Sequence, residues 1–187
     1  MSREQRSKID SMLRGVPDLG PMPFEDQRAA YGAFMGTMFV PDEIHTTEVD
    51  LAGMRTLLVE PARESRPGTI LFFHGGGFVF GSPETDMCLT AALVTRTGYR
   101  AYSPDYRLAP EHPFPAGVND AFDAYRALLD AGEHPSTIAL AGASAGGGLV
   151  VTTLRSSRPG MPGFRCQQRS SRSRPVSTSL GPGRAWT

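Results

Sequence analysis

The spacing of hydrophobic and polar positions changes character twice along the chain. Up to residue 40 the apolar side chains keep helical spacing: Ile9, Met12, Leu13 and Val16 form one stripe ending at Pro17, and Tyr31, Phe34, Met35 and Met38 form another after the Pro21/Pro23 break. Two amphipathic helices are predicted, either packed on a core or lying as a lid over a pocket, with methionines as adaptable apolar surface. Periodicity alone favours packing. From residue 44 the period shortens: Ile44 to Leu51 and Met54 to Val59, separated by Ala52-Gly53, predict a hairpin. Thr69-Ile70-Leu71-Phe72-Phe73 reads as a strand buried on both faces. Beyond it the pattern predicts a helix over 85–97, a short strand from Arg100 to Ser103, and a helix carrying Val118, Phe122, Tyr125 and Leu129 that stops near Gly132. A strand from Thr137 to Ala141 and an apolar helical segment from Leu149 to Leu154 close the series. Alternation of strand and helix argues for an α/β fold with a mainly parallel sheet.

After Leu154 this order stops. Residues 155–187 are rich in Arg, Ser, Pro and Gly and keep neither period, the composition of a disordered tail. Three regions are therefore expected: helices over 1–40, an α/β core over 41–154 and a tail over 155–187. Charge draws the same boundary. The net charge is zero over 187 residues, but the segment from 145 onward holds seven arginines and no Asp, Glu, Lys or His. Zero net charge argues against nucleic acid as a partner. No apolar stretch reaches the roughly 20 residues of a membrane span, and the polar start Met1-Ser2-Arg3-Glu4 does not resemble a secretory leader. Cys88 and Cys166 have no metal-ligand spacing. Together these predict a reduced, cytoplasmic chain with no metal.

Two glycine-rich stretches carry candidate chemistry. Gly142-Ala143-Ser144-Ala145-Gly146 spells G-x-S-x-G between a predicted strand and a predicted helix, where a nucleophilic serine sits on a strained turn. Its glycines let strand and helix approach closely. His74-Gly75-Gly76-Gly77-Phe78 follows the buried strand and could aim backbone N–H groups at the oxyanion of an acyl-transfer intermediate. Ala145, directly after the serine, is placed to add one more donor. Between them, Asp105-Tyr106-Arg107-Leu108-Ala109-Pro110-Glu111 with the prolines after it predicts a rigid corner, held by a buried charge network of Asp105, Arg107 and Glu111.

These three stretches, in this order and spacing, resemble the bacterial hormone-sensitive-lipase-like esterases of the α/β-hydrolase superfamily. The resemblance runs from about residue 5 to residue 154. It implies an α/β-hydrolase fold whose first 40 residues belong to a cap, which reverses the preference for packing. It further implies hydrolysis of short- to medium-chain carboxylic esters without a cofactor, a small-molecule ester being the partner and the oligomeric state left open. Residue by residue, it makes Ser144 the nucleophile and Gly75, Gly76 and Ala145 the oxyanion donors. His74, Gly77, Asp105, Arg107, Glu111, Gly142 and Gly146 become structural supports of the site. Ala143 and Gly148 stand where the family often has aspartate and asparagine.

The family order is serine, then acid, then histidine, yet no Asp, Glu or His follows Ser144. His45, His74, His112 and His134 all precede it. The expectation for this polypeptide is therefore little or no turnover, or a non-catalytic ligand-binding role on the same fold. With one lysine against eighteen arginines, the tail is what GC-rich codons yield out of frame. A frameshift or misassembled gene near residues 154–160 is expected, which translation of the same DNA in its other two frames tests. A genuine Arg/Ser-rich tail that binds an acidic partner is the alternative.

Overall fold

A computed structural model describes residues 2–14 and 22–157. Val16 and the segment from residue 158 onward lie outside the described residues, and with them most of the expected tail. The elements are α1 (Arg3–Arg14), α2 (Phe24–Met35), β1 (Ile44–Leu51), β2 (Met54–Pro61), β3 (Thr69–Phe73), α3 (Met87–Thr97), β4 (Arg100–Pro104), α4 (Ala116–Asp130), β5 (Ile138–Gly142) and α5 (Ala145–Ser156).

The five strands form one sheet in the order β1-β2-β4-β3-β5. It is mixed. β3 pairs in parallel with both β4 and β5, while β2 runs antiparallel to β1 and β4. The antiparallel part follows from the hairpin, where Ala52 (φ 59) and Gly53 (φ 77) form the two-residue turn with both central residues left-handed. Among the described residues β5 has no partner on its outer side.

β3 is buried along its whole length because both faces are covered. Alternation sends Ile70 and Phe72 into a core with Leu57, Val59, Ala101 and Val94 of α3, and Leu71 and Phe73 into one with Tyr106, Leu128 and Leu149 beneath α4 and α5. The result is a three-layer α/β/α arrangement with the C-terminal ends of β3 and β5 side by side.

Two expected stripes sit differently. On α4 the buried positions are Asp120, Ala121, Ala124, Tyr125 and Leu128, whereas Val118, Phe122 and Leu129 are only half buried. The alanines let the helix backbone approach the sheet, which turns the larger residues to the flanks. On α2 no residue is fully buried, and Phe34 is 63% and Met38 38% exposed. Its docking contacts are instead Tyr31 and Phe24, whose ring centroids lie 6.0 and 6.5 Å from that of Phe80.

Candidate active site

Ser144 occupies the turn from β5 into α5 at φ 47, ψ −111, a left-handed φ that costs a non-glycine residue of order 1–3 kcal/mol. The side chain is exposed at the tip of this turn. Gly142 and Gly146 make the turn sterically feasible. A Cβ on Gly142 would meet the carbonyl group of Gly146 at 2.5 Å, and one on Gly146 would lie 2.0 Å from the carbonyl oxygen of Phe73. Hydrogen bonds close the turn from Ala143 N–H to Phe73 O (3.1 Å) and from Gly146 N–H to Ala143 O (2.7 Å). Ala145 begins α5, so its N–H belongs to the first turn that intrahelical bonding leaves open, at the positive end of the helix dipole.

The glycine loop leans directly on this turn: a Cβ on Gly75 would lie 3.2 Å from Ala143 O. Only part of the loop is free to bind. The Gly75 N–H, expected from the sequence as an oxyanion donor, donates to Asp86 Oδ2 in a buried setting and so already has an acceptor in this structure. The N–H groups of Gly76 and Gly77 have no acceptor among the described residues. Gly76 (φ 110) and Gly77 (φ 64) curl through a tight turn in which Gly76 O accepts from Val79 and Phe80 N–H (3.1 and 2.8 Å).

His74 underpins the loop. Fully buried, it donates from Nδ1 to Gly75 O (2.8 Å) and stacks on Tyr106 with centroids 4.1 Å apart, while the Tyr106 hydroxyl donates to His74 O (2.8 Å). Burial pushes its pKa down, which keeps the ring neutral. His45, His112 and His134 are exposed on β1, the proline-rich corner and the loop before β5.

Asp105, Arg107 and Glu111 do not form the expected buried network. Each side chain leaves the corner toward a different element and pairs there at a partly exposed position. Arg107 pairs with the buried Asp120 of α4 (2.7 Å), Asp105 with Arg55 of β2 (3.4 Å), and Glu111 with Arg28 of α2 (2.8 Å). Burial raises the pKa of Asp105, while the Arg28 hydrogen bonds lower that of Glu111 to about 2.

Arg28 emerges from the structure alone. Its guanidinium donates to Val79 O (2.7 Å) after the glycine loop, to Ala109 O (2.8 Å) in the corner, and to both carboxylate oxygens of Glu111 (2.9 and 2.8 Å). A partner 83 residues away leaves no signal in sequence spacing. Asp120 had one: an acid on the core stripe of an amphipathic helix.

A strained serine on a strand-to-helix turn, beside a glycine loop with free N–H groups, defines an α/β-hydrolase type of site. The family model described as alpha/beta hydrolase fold matches residues 70–168, beyond the expected core end at 154. The chain belongs to this family, among its bacterial hormone-sensitive-lipase-like esterases. It is 45% identical over 100 residues to an acetyl-hydrolase of Streptomyces hygroscopicus, covering 54% of this chain and 33% of that protein. It is 31% identical over 150 residues to the putative acetyl-hydrolase LipR of Mycobacterium tuberculosis, covering 79% of this chain and 49% of that protein. A solved esterase from the bacterial hormone-sensitive lipase family superposes with a TM-score of 0.73 at 37% identity, covering 82% of this chain and 52% of that one. A hormone-sensitive lipase from a metagenome library gives a TM-score of 0.77 at 34% identity, covering 87% and 54%. The chain thus spans between a third and about half of these relatives. Among the described residues no helix is long and apolar enough to cross a membrane.

Proposed function

We propose that Ser144 is the nucleophile of carboxylic-ester hydrolysis on short to medium acyl chains. Its Oγ attacks the ester carbonyl, the hydroxyl proton passes to solvent water, and the alcohol leaves with a proton taken from water as the acyl-enzyme forms; a second water then releases the acid. Gly76, Gly77 and Ala145 N–H groups receive the oxyanion, and Gly75 anchors the loop through Asp86. One observation carries the proposal: Ser144 is held at φ 47 between β5 and α5, against the glycine loop. The esterases and acetyl-hydrolases among its relatives support the reaction class. In the proposed organisation residues 1–40 act as cap, 41–154 as hydrolase core and 155–187 as tail.

Residues 145–187 contain no Asp, Glu or His, so these 187 residues supply neither acid nor base in the family order. A site lacking triad members retains only about 10³–10⁴ over water. That favours, as a second possibility, ligand binding without turnover. A p-nitrophenyl butyrate assay on the chain and on Ser144→Ala separates the two: a Ser144-dependent rate supports the hydrolase, and equal rates remove it.

A further inference from the structure

Arg55 of β2 lies outside the site, yet its guanidinium gathers carboxylates from three separate segments. It donates to Glu48 Oε2 on β1 (2.8 Å), to Glu84 Oε1 between the glycine loop and α3, and to Asp105 Oδ2 at the start of the corner (3.4 Å). The strand register places it there. Pairing of Thr56 with Pro104 sets Arg55 opposite Asp105, whose N–H donates to Arg55 O at 2.9 Å. The planar fork of an arginine, with several N–H donors, suits it to hold more than one carboxylate at once.

Glu84 and Asp105 belong to the segments that support the glycine loop. Glu84 stands just ahead of Asp86, the buried acceptor of the Gly75 N–H. The stretch around them is tied to itself: Ser82 N–H donates to Thr85 Oγ1 (3.0 Å), the Thr85 hydroxyl to Ser82 O (2.8 Å) and Met87 N–H to Glu84 O (3.2 Å). Asp105 directly precedes Tyr106, whose buried ring stacks on His74 and whose hydroxyl donates to His74 O. Single ion pairs as exposed as Arg55–Glu84, at 38% and 49%, contribute little. This cluster differs because one cation serves all of its carboxylates. Without it Glu48, Glu84 and Asp105 are left crowded around one point, and their repulsion drives the two supporting segments apart.

We propose that Arg55 is a positioning residue for the oxyanion loop. It locks the segment carrying Asp86 and the segment carrying Tyr106 to β2, and so holds from two sides the loop whose Gly76 and Gly77 N–H groups lie beside the Ser144 turn. This rests on the assignment of Ser144 as nucleophile.

Amide exchange read by NMR on the full chain, together with the rate at which an alkyl fluorophosphonate labels Ser144, tests it. Arg55→Gln is expected to speed exchange at Gly75 about tenfold while Leu71 in β3 changes by less than about twofold, and to slow labelling at least about threefold. Arg55→Lys keeps the charge and is expected to restore part of both effects. Raising the salt to about 0.5 M is expected to at least halve the difference between Arg55→Gln and wild type, since screening weakens both the pairs and the repulsion. If Arg55→Gln does not fold, Glu84→Ala removes the link toward Asp86 and carries the same expectation at Gly75. Unchanged Gly75 exchange, equal acceleration at Leu71, or no rescue by lysine would overturn the proposal. Ser144 labelling that ignores Arg55→Gln overturns the positioning role alone. A wild type unlabelled at Ser144 whose Gly75 still responds overturns the nucleophile assignment and upholds Arg55 as the anchor of the loop.

Discussion

Gly146 of α5 rests against the carbonyl oxygen of Phe73 at the end of β3, so close that a Cβ would approach to 2.0 Å. The obstacle is backbone and has no rotamer in which to move aside. Gly146→Ala is therefore expected to destabilise the chain at or above the upper end of the about 1–3 kcal/mol typical of overpacking. Gly147→Ala is the contrast, because its Cβ would meet Gly142 O at 3.7 Å, an ordinary contact. Improved helix propensity makes that variant neutral or stabilising by up to about 1 kcal/mol. Urea unfolding of the two variants checks the difference, and equal losses would mean that this contact does not hold the β5–α5 turn.

The Gly75–Asp86 hydrogen bond predicts a separate effect on the glycine loop. Asp86→Ala leaves a buried N–H without an acceptor, at a cost of about 1–3 kcal/mol. Asp86→Asn retains a carbonyl oxygen to accept it and is expected to be milder. Hydrogen exchange at Gly75 and the amides of residues 76–80 reports the order wild type, Asn, Ala from slowest to fastest. No acceleration in Asp86→Ala would show that the loop is held elsewhere.

Arg28 is expected to fix α2 to both loops at once. Arg28→Ala removes donors to Val79, Ala109 and Glu111 together and should speed amide exchange across α2 by roughly tenfold. Arg28→Lys keeps the charge but lacks the planar fork that reaches all these acceptors, so it should fall between. Unchanged exchange in both variants would detach α2 from the site.

The Arg28–Glu111 pair also gives docking a pH dependence of definite sign. Arg28 hydrogen bonds lower the Glu111 pKa from 4.5 to about 2. Its contribution is present above the ordinary value of 4.5 and is lost as pH falls through about 2. The difference in melting temperature between wild type and Glu111→Gln is thus expected to be positive at pH 6 and to shrink toward pH 2. A difference that does not change over that range contradicts the pairing.

Much of the site was legible because it is local in sequence. The apolar run of β3, the G-x-S-x-G turn and the His-Gly-Gly-Gly stretch each fix their own geometry within a few residues. Which glycine amide stays free was not legible, because an acid 11 residues on takes the Gly75 N–H. The charges of the corner likewise have partners on α2, β2 and α4, which spacing within the corner does not reveal. On α4 the larger apolar residues suggested one face, while Ala121 and Ala124 set the buried one by permitting close approach. The α2 stripe had helical spacing, yet its docking rests on Arg28, Phe24 and Tyr31 against loops that only the fold brings near.

The most direct test is slow active-site labelling: prolonged incubation of the 187-residue chain and of Ser144→Ala with an alkyl fluorophosphonate, followed by peptide mass spectrometry. A Ser144 nucleophile flanked by the free N–H groups of Gly76, Gly77 and Ala145 predicts a single adduct that accumulates on Ser144 and disappears in Ser144→Ala. Equal labelling of both chains, or none at Ser144, would contradict it.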